Sequence, residues 1–309
     1  MKFNPINIPT IDELKKVIIE LQNTDLSKIS YNKLWSIIEN EIRVIPFMTA
    51  KLNKGHYIDR GRINKDDNEI FNSEKDISYR EDSYNIHNFG RANPPYISMF
   101  YGAVKSSTIE HPRIINLLET SEIFRNMPDN RYTDANFKMT LGKWIIKEDF
   151  EVLDIIYNKY NRENIPEIKN AYSERREELY KEHPNEAEQL ELVLEFFSDE
   201  FSKKDVKSHH DYKISTVYTQ MALLKGLHGV SYPSVRTQYL GNNVAITPFA
   251  IDKYCELEKA AMFQIDKSGD NTLVGNLKIA LNLGPYNTNF QWVSLGNKTE
   301  GELNEIIEK

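Results

Sequence analysis

The sequence predicts an α+β fold: a mixed β core with helices ahead of it and a helical segment inserted into it. Two observations lead there. Short apolar runs bounded by turn residues (Tyr96–Tyr101, Trp144–Ile146, Glu151–Ile156) have the length and composition of buried strands. They alternate irregularly with helical periodicities, without the βαβ repeat of a doubly wound sheet.

The helical periodicities can be placed in order. Thr10-Ile-Asp-Glu13 has the spacing of a capping box, and Leu14, Val17, Ile18 and Leu21 follow it at helical intervals. A second helix is expected over Tyr31–Val44, with Leu34, Ile37, Ile38 and Ile42 on one face. Pro112 is compatible with the start of a helix over Arg113–Arg125. From Asn161 to Asp211 the chain is polar and helical, with an apolar stripe of Leu190, Val193, Leu194, Phe197 and Phe201. A helix over Ile214–Lys225 should stop at Gly226. Strands are expected at Gly229–Val235, Val244–Phe249, Ala260–Ile265, Leu277–Leu283 and Phe290–Leu295. The expected organisation is an N-terminal helical extension over 1–50, a core domain over 51–255 with a helical insertion at about 161–212, and a β-rich C-terminal extension over 256–309.

Composition narrows the function classes. The chain has 309 residues, 40% hydrophobic and 28% charged, in the range of a globular protein. No apolar run reaches the ~20 residues that span a bilayer, and Met1–Pro9 lacks the apolar core of a secretion leader. The single cysteine, Cys255, cannot form an internal disulfide. A cytoplasmic protein is the expectation. The net charge of −7 argues against nonspecific binding to nucleic acid or anionic membrane. Residues 161–211 hold 14 acidic and 8 basic residues, so most of the excess sits there. That run reads as a solvated face, with a docking surface for a basic partner as the alternative.

The common catalytic and nucleotide-binding boxes are absent. There is no Gly-x-Gly-x-x-Gly, P-loop, Cys-x-x-Cys, His-Glu-x-x-His or Gly-x-Ser-x-Gly. His209-His210 reads as a solvent-exposed loop rather than a metal site. What remains is a set of residues far apart in sequence. Arg60 and Arg62, two apart on a strand, would share a face and suit a diphosphate. Arg91 lies in the stiff loop Gly90-Arg-Ala-Asn-Pro-Pro95. Tyr101 ends an apolar strand and could stack on a planar base. Glu119 lies in an apolar helical stretch, with Glu110 and Glu122 competing for the role of a carboxylate that stabilises an oxocarbenium-like state. Ser234 follows the stiff Tyr232-Pro233, and Arg236 is a further anion contact. Singly, each has a plainer structural explanation: surface pair, turn, core tyrosine, exposed helix glutamate.

Their order and wording are more specific. Arg60-Gly-Arg62, Gly90-Arg-Ala-Asn93, Met99-Phe-Tyr101, Leu118-Glu119, Leu141-Gly-Lys-Trp144 and Gly226-Leu-His-Gly-Val-Ser-Tyr-Pro-Ser-Val-Arg236 together resemble the RES-domain family over roughly 55–155 and 213–250. The resemblance implies an ADP-ribosyltransferase-like fold and the toxin of a bacterial toxin–antitoxin pair. It implies NAD+ as substrate rather than as a retained cofactor, cleaved by hydrolysis or phosphorolysis, or used to ADP-ribosylate a protein. It also implies an antitoxin partner with a helix-turn-helix domain. Carried over by position, the family arginine matches Arg60 with Arg62 beside it, the second arginine Arg91, the aromatic Tyr101, the glutamate Glu119 and the serine Ser234. A catalytically inactive nucleotide-binding module is the non-enzymatic alternative, and the oligomeric state is left open.

Overall fold

The structure, a computed structural model, describes residues 8–66, 68–125, 133–284 and 288–296. The first seven residues, and positions 285–287 and 297–309 of the expected C-terminal extension, lie outside the described residues. The protein is α+β. The chain divides into two compact units, Met1–Lys51 with Asp82–Met99 and Glu151–Val235, and Leu52–Glu81 with Phe100–Phe150 and Arg236–Lys309. Residues 51–255 therefore contribute to both.

The first unit is mainly helical. Helix α1 (Ile11–Asn23) opens with the capping box the sequence predicts: the Glu13 backbone N–H donates to Thr10 Oγ1 at 3.3 Å, and the Thr10 N–H donates to Glu13 Oε2 at 2.8 Å. Helix α2 (Tyr31–Ile37) is shorter than expected, because the chain passes into a π-helical turn over Ile38–Ile42 and then a left-handed Arg43. The turn still buries Ile38 and Ile42 in line with Leu34. Strands β1 (Thr49–Leu52), β5 (Phe150–Asp154) and β6 (Gly229–Pro233) lie in the order β1-β5-β6, with β5 and β6 parallel.

Helices α6 (Lys159–Asn164), α7 (Pro166–Glu182), α8 (Ala187–Phe201) and α9 (Lys213–Leu224) complete this unit. All five residues of the predicted stripe on α8 are buried. Phe197 stacks on Tyr218 of α9 at 4.0 Å between ring centres, and the Tyr218 hydroxyl donates to the Pro46 carbonyl at 2.7 Å. Part of the acidic excess is neutralised locally. Arg176 and the Tyr180 hydroxyl donate to Glu191, Arg162 pairs with Glu195, and Lys203 pairs with the buried Glu200. His209-His210 is not an exposed loop. It forms a half-buried 3-10 turn, because the Phe89 ring stacks on His209 and the Phe89 N–H donates to His209 Nδ1 at 3.3 Å.

The second unit is an antiparallel sheet. It contains β2 (Tyr57–Ile63), β3 (Phe100–Val104), β4 (Ala135–Ile146), β7 (Asn242–Ile246), β8 (Cys255–Ser268), β9 (Asn271–Leu281) and β10 (Gln291–Ser294), in the order β7-β3-β2-β4-β8-β9-β10. Strand β3 begins at Phe100 rather than Tyr96, whose φ of 65° breaks the extended run. Short α3 (Glu74–Ile77) packs on one face of the sheet. On the other lies α4 (Pro112–Thr120), followed by α5 (Glu122–Arg125) after a break at extended Ser121. The expected single helix over Arg113–Arg125 is thus two. Helix α10 (Pro248–Tyr254) links β7 to β8.

Alternation along the strands sorts the side chains. Ile58, Arg60, Phe100 and Trp144 share the α3 face; Asp59, Gly61, Tyr101, Leu141 and Asn243 share the α4 face. On the α3 face Trp144 is fully buried and meets Phe100 edge-on at 4.8 Å. Cys255, half-buried at the start of β8, has its thiol pushed up to about 12 by burial, which disfavours the reactive thiolate. Among the described residues no helix is long and apolar enough to cross a membrane.

The tight packing over Trp144 gives a direct test. A Cβ on Gly142 would lie 2.4 Å from the Trp144 ring and 3.0 Å from Ile77. Gly142→Ala should therefore lower stability by ~1–3 kcal/mol through overpacking. Urea denaturation should show a lower midpoint at unchanged slope; an unchanged midpoint would mean that the indole moves aside freely.

Candidate functional site

Helix α4 is the element that places a carboxylate on the sheet. The N–H of Arg113, in its first turn, donates to the buried Asp59 carboxylate of β2, while the N-cap residue His111 gives no side-chain cap of its own. Further along, Asn116 bridges β2 with one amide. Its Nδ2 donates to the Asp59 carbonyl at 2.9 Å, and its Oδ1 accepts from the Gly61 N–H at 3.2 Å. A side chain at Gly61 would collide with Met139 at 1.9 Å and press on Asn116 at 3.2 Å. The glycine in Arg-Gly-Arg is what lets α4 lie so close.

At the other end of α4, Glu119 Oε1 accepts from Asn243 Nδ2 of β7 at 2.8 Å. Asn243 pairs in register with Ala103, two residues along β3 from Tyr101, so Glu119, Asn243 and Tyr101 belong to one face. The Glu119 backbone carbonyl accepts from Arg125, whose own carbonyl accepts from Arg236 Nη1 at 3.2 Å. Asn243 is held by a tight turn. Gln238 and Tyr239 both have positive φ, 52° and 68°, an uncommon geometry for residues other than glycine. Gly241 then packs where a Cβ would meet Ile115 at 2.6 Å. The sequence reading missed Asn243; its place in Gly241-Asn-Asn243, inside the stretch carrying the resemblance, was the available signal.

Arg60 and Arg62 do share a face, as their spacing predicts, but it is the α3 face. Arg60 gives Nε to the Ile77 and Ser78 carbonyls at 3.2 and 3.1 Å and Nη1 to the Tyr101 carbonyl at 2.6 Å, with its guanidinium over the Phe100 ring. Burial, reinforced by the like charge of Arg62, lowers its pKa to about 10. Arg62 is exposed, donates to the Asp76 carbonyl and lies over Phe71. The sheet thus separates the side chains of Arg60 and Glu119. Glu110 is exposed and pairs with Lys105 at 3.7 Å, and Glu122 starts α5.

Arg91 and Ser234 belong to the first unit. The Gly90–Asn93 loop is fastened to α9: Ser215 and Thr216 donate to the Arg91 and Gly90 carbonyls at 2.7 and 3.0 Å. Arg91 donates to the Phe201 carbonyl at the end of α8 and stacks over Tyr212. Ser234 is fully buried one residue beyond β6, which ends at Pro233 rather than at the expected Val235. Among the described residues, no group of three His, Cys, Asp or Glu side chains is arranged to hold a metal ion.

Asp59 makes the α4 anchor sensitive to pH. Burial pushes its pKa up to about 6, against the lowering effects of Lys143, Arg113 and His111. An unfolded aspartate titrates near ~4, so the folded state holds the proton more tightly. This group's contribution to stability is greatest below pH ~4, falls as pH rises to about 6, and is level above that. Asp59→Asn keeps an acceptor for Arg113 and should raise stability at pH 7 by on the order of 2 kcal/mol. It should also flatten part of the pH slope; Asp154, likewise raised to about 6 by burial, keeps its share. Urea melts at pH 4.5 and 7 would contradict this if both proteins showed the same slope.

No protein-family model matches this chain, and no curated protein sequence matches it.

Proposed function

We propose that the protein cleaves the nicotinamide–ribose bond of NAD+ in an ADP-ribosyltransferase-like fold, as its resemblance to RES toxins implies. The observation that supports this best is the Glu119–Asn243 hydrogen bond on the Tyr101 face of the sheet. It joins two stretches about 120 residues apart, both within the resemblance, and sets a carboxylate at a fixed orientation on a strand face bearing an aromatic ring.

In this reading nicotinamide departs with the electron pair of the C–N bond and becomes neutral. Positive charge develops on the ribose, and the Glu119 carboxylate stabilises it. Water then attacks the anomeric carbon and gives up a proton, yielding ADP-ribose; phosphate attacking instead yields the phosphorylated product. Asn243 sets the direction of the Glu119 carboxylate, and Tyr101 packs on the nicotinamide or its ribose. The resemblance adds Ser234 as a hydrogen-bond partner of the nicotinamide and Arg91 as an anion contact, and Arg236 is offered as a further anion contact by its place beside Ser234. Arg60 and Arg62 carry the diphosphate role in that resemblance. Here both side chains lie on the α3 face, across the sheet from Glu119, and Arg60 ties α3 to the sheet there, so neither is joined to the Glu119 face. A helix-turn-helix antitoxin that silences the activity belongs to the same reading.

The test is time-resolved NAD+ consumption by the purified protein, with and without phosphate, with products identified by mass spectrometry. Glu119→Gln should lower kcat by ~10²–10³ with KM changed little. Asn243→Ala should lower kcat about tenfold, and it should leave the melting temperature of the α4 anchor set by Asn116 largely intact. Glu119→Gln turning over at the wild-type rate would remove Glu119 from the chemistry. Intact NAD+ under both conditions would overturn the cleavage reading, and ADP-ribose appearing on lysate proteins would redirect it to group transfer.

A further inference from the structure

Helix α4 has a second flank. Ile115 and Glu119, four residues apart, face β7; Arg113 and Leu117, also four apart, lie on the opposite side. There they form one wall of a groove of about 340 Å³. Its floor is the α4 face of β4 and β8, where Leu141 and Ile265 are buried in a small apolar core with Phe124 and Met139. Its far wall is Val274 and Asn276 of β9, brought to the same face by the pairings Ile265↔Val274 and Phe263↔Asn276. The floor is rigid because it is part of that core. The rim stays in water: Ile114 is 47% and Val274 54% exposed.

The chemistry of the lining is one-sided. Among the described residues the lining is apolar except for Arg113 and Asn276, and it includes no carboxylate. Asp59, buried under α4, accepts the Arg113 backbone N–H and feels the Arg113 charge.

We propose that this groove binds a small amphiphile, a linear hydrocarbon chain ending in a single carboxylate. The volume lies at the small end of the range for small-molecule sites, which leaves out a dinucleotide or a docked helix. Apolar walls on three sides favour the chain. One forked cation with no acid among the described lining residues matches one carboxylate head, and the Asn276 amide supplies a second donor. The inference is independent of the NAD+ reading, since it concerns the flank of α4 away from Glu119.

Calorimetric titration of the full chain with decanoate, below its micellar concentration, tests the proposal. One-to-one saturable binding is expected. Arg113→Gln should weaken decanoate at least about tenfold while leaving decanol within about twofold, because only the charged head is affected. Val274→Glu should weaken both, because it puts a carboxylate into the wall that meets the chain. Both positions are exposed, and a thermal melt of each variant confirms that it is folded. Glu119→Gln should bind decanoate as the wild type does. Heats that never saturate, or both wall variants binding as tightly as the wild type, would overturn the proposal. Binding lost in Glu119→Gln but kept in Arg113→Gln would do so too, by moving the ligand to the β7 flank.

Discussion

The second unit depends on one side-chain amide. Asn116 pairs a backbone donor and a backbone acceptor of β2 at once, so two buried polar groups that would each cost ~1–3 kcal/mol if left alone are satisfied by a single residue. That contact fixes the height and rotation of α4 over the sheet. Gly61 permits the approach by having no Cβ, and the Asp59 carboxylate takes up an N–H of the first turn. Both candidate features argued from this helix follow from its placement. One flank presents Glu119 to Asn243, and the other walls the apolar groove.

Several buried and half-buried cations among the described residues are answered by carbonyl oxygens rather than by acids. Arg60 gathers three carbonyls from two segments, Arg91 takes the last carbonyl of α8, and Lys213 donates to Leu26 and Ile29 at 2.6 and 2.7 Å. Carbonyls at the ends of helices and in irregular segments lack a regular partner, and a long cationic side chain can collect several of them. The two arginines that stand out most in the sequence are therefore also fasteners of the fold. A substitution at either is read as functional only when the folded state is shown to persist.

Local patterns were legible where local physics governs. The Thr10 capping box, the α8 stripe, Pro112 at the head of α4 and Gly226 after α9 were readable because each rests on interactions within one or two turns. The Arg60/Arg62 parity was readable for the same reason, since alternation is a property of one strand. The π-helical turn after Ile37 and the break at Ser121 were not, because both continue patterns compatible with an unbroken helix. Nor was the engagement of His209 by Phe89, 120 residues away.

The residues that carry the resemblance, the mixed α+β character and most helix and strand positions are properties of the sequence, since periodicity and turn chemistry act over a few residues. Tertiary structure alone decided which sheet face each candidate occupies. It put Glu119 with Asn243 and Tyr101, put Arg60 on the other face with α3, and turned Arg91 toward the end of α8. Those outcomes depend on strand order and register, which are set by the competition of long-range pairings for a common core, and no short window of sequence encodes that competition.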